Sequence, residues 1–150
     1  MMSGLKISYV DFHMGTAGST PELRAVVDRL AKKYGVGISR SYGEVSHTMF
    51  DTPIESKKTE FLAQLGKADP AKVNLFVVHV ASLMPEMEVL FDRNNATQNS
   101  EGGVPLVARH RASELAMILS PEFAELRRAG KVRLTTYRDL NARASNAPRM

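Results

Sequence analysis

The stretch "KVNLFVVHVA" (72–81) is an almost unbroken run of apolar, β-branched and aromatic residues. It is too short for a core helix and carries no solvent-facing alternation. Such a run predicts a strand covered on both faces, the signature of a parallel sheet between helices. A histidine, His79, stands at its carboxyl end.

Working outward from it, the neighbouring segments fit that sheet. "LKISYVD" (5–11) has strand composition and is bounded by glycine. "TPELRAVVDRLAKKYG" (20–35) predicts a helix, with Thr20 as N-cap and Pro21 in the first turn. Leu23, Val26, Val27 and Leu30 form its stripe, and Gly35 sits at its end. "VGISR" (36–40) is a short strand, and 42–53 is an irregular connection. "ESKKTEFLAQLGKA" (55–68) is a second helix. Residues 82–103 form a long connection, whose polar part from Asn94 to Gly103 has the length of a functional or mobile loop.

Helices follow at 104–119 and, from a fresh Ser120-Pro121 cap, at 120–129. A last strand is expected at "KVRLTTY" (131–137), then a helical turn. Alternating strands and helices predict an α/β fold with a parallel sheet built of βα units. One domain over 1–143 with a flexible tail at 144–150 accounts for the chain.

Composition narrows the function. The 150 residues contain no cysteine, so disulfides, thiolate metal sites and cysteine nucleophiles are excluded. Hydrophobic residues make up 43% and charged residues 24%, the balance of a globular protein. No apolar run is long enough to span a bilayer, and Met1 to Leu5 does not read as a signal peptide, so a cytoplasmic location is expected. The net charge is +4, with seven Lys or Arg against one acid from Leu126 onward. Without interleaved aromatic residues or a nucleic-acid motif, that excess reads as a solvated face, and no nucleic-acid partner is expected. Walker, GxGxxG, GxSxG and HExxH motifs are absent.

The candidate chemistry sits at strand ends, where ligands gather in parallel α/β sheets. Asp11 and His13, in "SYVDFHMGTAG" (8–18), follow the first strand. On an extended segment their side chains project to one side. They can both ligate a metal ion, or the acid can orient the imidazole. The alternative is a polar turn. His79 is either a ligand or general acid, or a histidine hydrogen-bonded to a neighbouring loop. Arg111 and Glu114, three apart on one helix face, form either a helical ion pair or a substrate contact. His47 reads as a solvent histidine in a loop, and His110 as an exposed or helix-packing residue.

Three ordered stretches carry a resemblance: "ISYVDFHMGTAGSTPEL", "VVHVAS" and "PLVARHRASELAMILSPEFAELRRAGKVRLTTYRDL". With them the chain resembles the YdjC/ChbG-like family of carbohydrate deacetylases. The resemblance implies a deformed, TIM-like (β/α) barrel and metal-dependent hydrolysis of an N-acetylated sugar or oligosaccharide. It implies a divalent metal, Mg or Zn, held by an aspartate and two histidines, with a further aspartate as base. His13 matches a metal histidine, Asp11 the supporting acid before it, and His79 a late proton donor or substrate contact. Arg111 and Glu114 fall in the matching Arg-x-x-Glu-Leu and take substrate-binding roles. The family's opening Asp-Asp pair and its Gly-x-His segment do not occur here. The chain therefore resembles the C-terminal half of a member, a half-barrel, and self-association or a missing N-terminal half is expected. A non-catalytic remnant that binds carbohydrate is the other expectation.

Overall fold

The computed structural model describes residue 4 and residues 6–92 and 106–146, leaving aside the side chains of His13 and Asn146. The chain divides into two compact units, one of Met1–Glu44 with Leu134–Met150 and one of Val45–Arg133.

In the first unit, β1 (Tyr9–Val10) pairs in parallel with β2 (Gly37–Ile38), in the register Tyr9 to Gly37 and Val10 to Ile38. The crossover is α1 (Pro21–Tyr34). Its start follows the sequence closely: the Thr20 hydroxyl accepts the Leu23 amide at 3.3 Å, and Pro21 opens the first turn. Gly35 ends the helix at φ 65°, a left-handed conformation that only glycine adopts without steric penalty. The strand expected at 131–137 is not formed. Residues 132–136 belong to no helix or strand, and a helix, α6 (Tyr137–Asn146), starts where the strand was to end. The reason is a reciprocal cap. The Thr136 hydroxyl donates to Asp139 Oδ2 at 2.7 Å, and Asp139 Oδ2 also accepts the Thr136 amide. The Asp139 amide in turn donates back to the Thr136 hydroxyl. The tail expected from 144 is helical as far as Asn146, and its remainder lies outside the described residues.

The second unit repeats the pattern. β3 (Val45–Thr48) pairs in parallel with β4 (Asn74–Val77), with α2 (Lys57–Lys67) as crossover. β3 lies within the stretch read as irregular. Its sequence, Val-Ser-His-Thr, is only four residues long and gives little alternation to detect. α3 (Pro85–Glu88), α4 (Leu106–Ile118) and α5 (Pro121–Arg128) complete the unit. Ser120 caps α5, its hydroxyl accepting the Phe123 amide at 3.3 Å. The polar loop expected over Asn94 to Gly103 lies outside the described residues.

The core of this unit is Met49, Phe61, Met117 and Phe123, with Leu62, Leu65, Phe76, Val78, Ile118 and Val132 packed around it. The Phe61 ring meets Phe76 and Phe123 edge-on, each at 5.2 Å between centroids, the arrangement aromatic quadrupoles favour. The α/β expectation holds: the strands pair in parallel across helical crossovers. The described strands form two separate two-stranded pairs, and the closure of a barrel is not among them.

Candidate functional site

In the second unit, the chain leaving β4 runs alongside α4. The Ala81 amide reaches the Arg111 carbonyl at 3.4 Å, and the His79 amide donates to Glu114 Oε2 at 2.6 Å. The structure therefore brings together His79, Arg111 and Glu114, three of the residues singled out from the sequence. Glu114 does not turn to Arg111, one turn back on its own helix. Its Oε1 is held by Lys57 Nζ from α2 at 2.8 Å, and Lys57 also donates to the Met49 carbonyl. Both members of this pair are fully buried, Lys57 at 0% and Glu114 at 1% exposure.

His79 lies above that buried pair with its side chain 44% exposed. Its Nδ1 stands 4.0 Å from Glu114 Oε2, too far for a hydrogen bond but within direct Coulomb range. The Phe50 ring, 5.5 Å away and tilted by 59°, shields one side of the imidazole. The result is an accessible imidazole whose backbone is anchored to a fixed, buried carboxylate.

Lys57 was missed by sequence reading. The signal was present: Lys57 stands four residues before the buried Phe61, on the apolar stripe of α2. Glu114 shares its own stripe with Val107, His110 and Met117. A charged residue in a buried stripe calls for an opposite charge on the facing helix.

His110 also belongs to this neighbourhood. It is buried, and among the described residues its Nδ1 has no hydrogen-bond partner. Burial pushes its pKa below the usual histidine value, and the Lys57 charge adds to that, with Glu114 opposing. Of its two expected roles, it takes the packed one. His47 is not a loop residue: it lies in β3, stacked on Phe76 at 4.4 Å, with Nε2 3.2 Å from Asn74 Oδ1. The Asn74 amide nitrogen donates to the carbonyls of Asp69 and Lys72, so its oxygen faces His47 and Nε2 carries the hydrogen.

In the first unit, Asp11 follows β1, and its Oδ1 accepts the hydroxyl of the buried Ser39, which follows β2. The backbone is extended through Phe12, and His13 opens a 3-10 turn (His13–Gly18), so the strand geometry expected to align Asp11 with His13 ends between them. Among the described residues, two that are not glycine have positive φ, Met14 at 53° and Arg40 at 58°. They follow the carboxyl ends of β1 and β2 respectively. Behind them, Tyr137 packs on Tyr9 at 4.8 Å and on Tyr42 at 6.0 Å. Burial and the nearby Glu44 carboxylate hold the Tyr42 hydroxyl in its protonated form, and burial does the same for Tyr137 with support from Glu44.

The implied divalent metal meets a test here. Among the described residues no three His, Asp or Glu side chains converge to hold an ion. Asp11 is engaged by Ser39 and Glu114 by Lys57. The described donor set does not fit a closed metal shell, which needs three or four ligands.

No curated protein matches the chain. No helix among the described residues is long and apolar enough to cross a membrane. The family described as YdjC-like protein matches residues 1–129, a span that holds Asp11, His13, Lys57, His79, Arg111 and Glu114. The chain therefore belongs to the YdjC-like family, a family of carbohydrate deacetylase type.

Proposed function

We propose that the chain takes part in hydrolysis of the acetamide of an N-acetylated sugar or oligosaccharide, with His79 as the proton-transferring group. The observation that carries this is the accessible His79 imidazole over the buried Glu114–Lys57 pair, in a chain of carbohydrate deacetylase type. In this reading His79 takes a proton from a water molecule as the water oxygen bonds to the acetyl carbon, and the same proton passes from His79 to the departing nitrogen as the C–N bond breaks. Acetate and a free amino sugar are the products. Glu114 anchors the His79 backbone through its Oε2, and Lys57 fixes Glu114 through its Oε1. Arg111, on the same turn of α4, supplies a contact to the sugar, and Glu114, buried beneath, acts through His79 rather than on the sugar.

Asp11 and His13 take the supporting acid and metal-ligand roles that the family resemblance implies. Ligands beyond the described donors, from a second copy of the chain or from another segment, would serve the metal-dependent form of the reaction. The same shortfall supports a second reading, a carbohydrate-binding module without turnover.

Acetate release from N-acetylglucosamine oligomers separates the two. The enzyme reading expects turnover that falls by about 10²–10⁴-fold in His79→Ala. Saccharide binding without acetate release, with or without added Mg or Zn, leaves the binding module.

A further inference from the structure

Arg40 occupies an unusual position. It lies two residues past the end of β2, directly after Ser39, whose hydroxyl donates to Asp11. Its backbone is left-handed at φ 58°, a conformation that an arginine adopts only against a steric penalty. Two hydrogen bonds hold the turn. The Arg40 amide donates to the Tyr137 hydroxyl at 3.3 Å, and the next residue, Ser41, accepts from Arg24 Nη2 at 3.0 Å. Tyr137 is itself held between Tyr9 and Tyr42. The strain is therefore maintained by a built support rather than by a loose loop.

The support fixes the backbone and leaves the side chain in solvent: Arg40 is exposed, and no ion pair engages its guanidinium among the described residues. Met14, the other left-handed non-glycine residue among those described, follows the end of the paired strand β1. Strained non-glycine backbone thus collects at the carboxyl end of this parallel pair, the edge where α/β sheets bind ligands. A glycine at position 40 would carry no such penalty; what arginine adds there is an exposed cationic side chain on a fixed backbone.

We propose that Arg40 is a ligand-contact residue, its guanidinium presented at the carboxyl end of the β1–β2 pair to donate hydrogen bonds to the oxygen atoms of a bound saccharide. The ligand class rests on the deacetylase-type reading. The placement of Arg40 rests on the geometry of the first unit alone. The planar guanidinium offers five donors in a fixed fork, which suits paired sugar hydroxyl or acetamide carbonyl oxygens.

The test uses the full chain and two variants, Arg40→Gly and Arg40→Lys, with N-acetylglucosamine and its short oligomers as probes. Binding is followed by amide chemical-shift titration, stability by thermal unfolding, and acetate release separately. Arg40→Gly is expected to unfold at the same or a higher temperature and to bind about tenfold or more weakly. Arg40→Lys should retain an intermediate affinity, and the amides of Asp11, Ser39 and Arg40 should move when the native chain is titrated. Unchanged affinity in Arg40→Gly, a lower unfolding temperature in that variant, or a native chain that binds none of the probes overturns the proposal. A native chain that binds through Arg40 but releases no acetate overturns the enzyme reading alone. Acetate release with unchanged KM in Arg40→Gly overturns the role of Arg40 alone.

Discussion

Replacing Lys57 with methionine removes a charge from the most enclosed place in the second unit. Methionine keeps the length and most of the volume of the side chain, so the packing around Phe61 and Met49 is preserved and the change is mainly electrostatic. At 2.8 Å the Lys57–Glu114 attraction is about 6 kcal/mol in a medium of effective dielectric ~20. Desolvating the two ions costs roughly several kcal/mol each, so the intact pair contributes little net stability. The variant changes that balance: Glu114 stays buried, still bound by the His79 amide, but its charge is uncompensated. Loss of one partner from a buried pair costs about 3–5 kcal/mol. With a urea m-value of roughly 2 kcal/mol/M, the unfolding midpoint falls by about 2 M. Urea denaturation followed by circular dichroism measures this, and amide exchange in α2 and α4 assigns the loss to the second unit. The double variant Lys57→Met/Glu114→Gln keeps an acceptor for the His79 amide and removes the stranded charge, so it recovers at least about 1 kcal/mol of that loss. A midpoint shift below about 0.5 M in the single variant, or a double variant no more stable than the single, refutes the account of a mutually dependent buried pair.

Two further outcomes concern His110 and Gly37. His110 titrates below its ordinary value of 6.5 in the folded chain, chiefly through burial, so the unfolded chain binds the proton first as the pH falls. Its effect on stability is absent above about pH 6.5 and grows as the pH drops toward the folded value, and His110→Phe flattens that part of a stability–pH curve measured by urea titration. Gly37→Ala places a methyl group against the Tyr42 hydroxyl and the Asn141 side chain, and destabilises the first unit by about 1–3 kcal/mol. Adding Tyr42→Phe removes the hydroxyl, and thermal unfolding should show part of the loss restored.

What could be read from the sequence depended on whether the determinants were local. The Thr20-Pro21 start and Gly35 stop of α1 are written in consecutive residues and appear as expected. The Ser120-Pro121 start of α5 was legible for the same reason. The strand expected at 131–137 failed because β-branched composition was weighed above a Thr-x-x-Asp cap inside the same seven to nine residues. β3 was missed because a four-residue strand in a parallel pair depends on its partner, 29 positions away at Val45 and Asn74, more than on its own pattern. At the candidate site, the strand-end histidine was legible and its setting was not. The sequence places Arg111 one turn from Glu114, whereas the fold turns Glu114 to Lys57, 57 positions earlier. A contact of that range leaves no local trace except a charged residue on an otherwise apolar stripe.

The first unit is assembled from both ends of the chain. Tyr9 and Val10 form its strand, while Tyr137 and Asn141, on the last helix, supply packing and hydrogen bonds to Tyr9, Tyr42 and Ser8. During synthesis, residues 1–44 therefore emerge well before the helix that completes them. The second unit is continuous, and all its described contacts are available as soon as Arg133 has left the ribosome. The middle of the chain can therefore settle before the first unit is complete, while β1 and β2 wait for the packing that Tyr137 and Asn141 supply. A ribosome stalled before Tyr137 would hold a finished second unit and an unfinished first one.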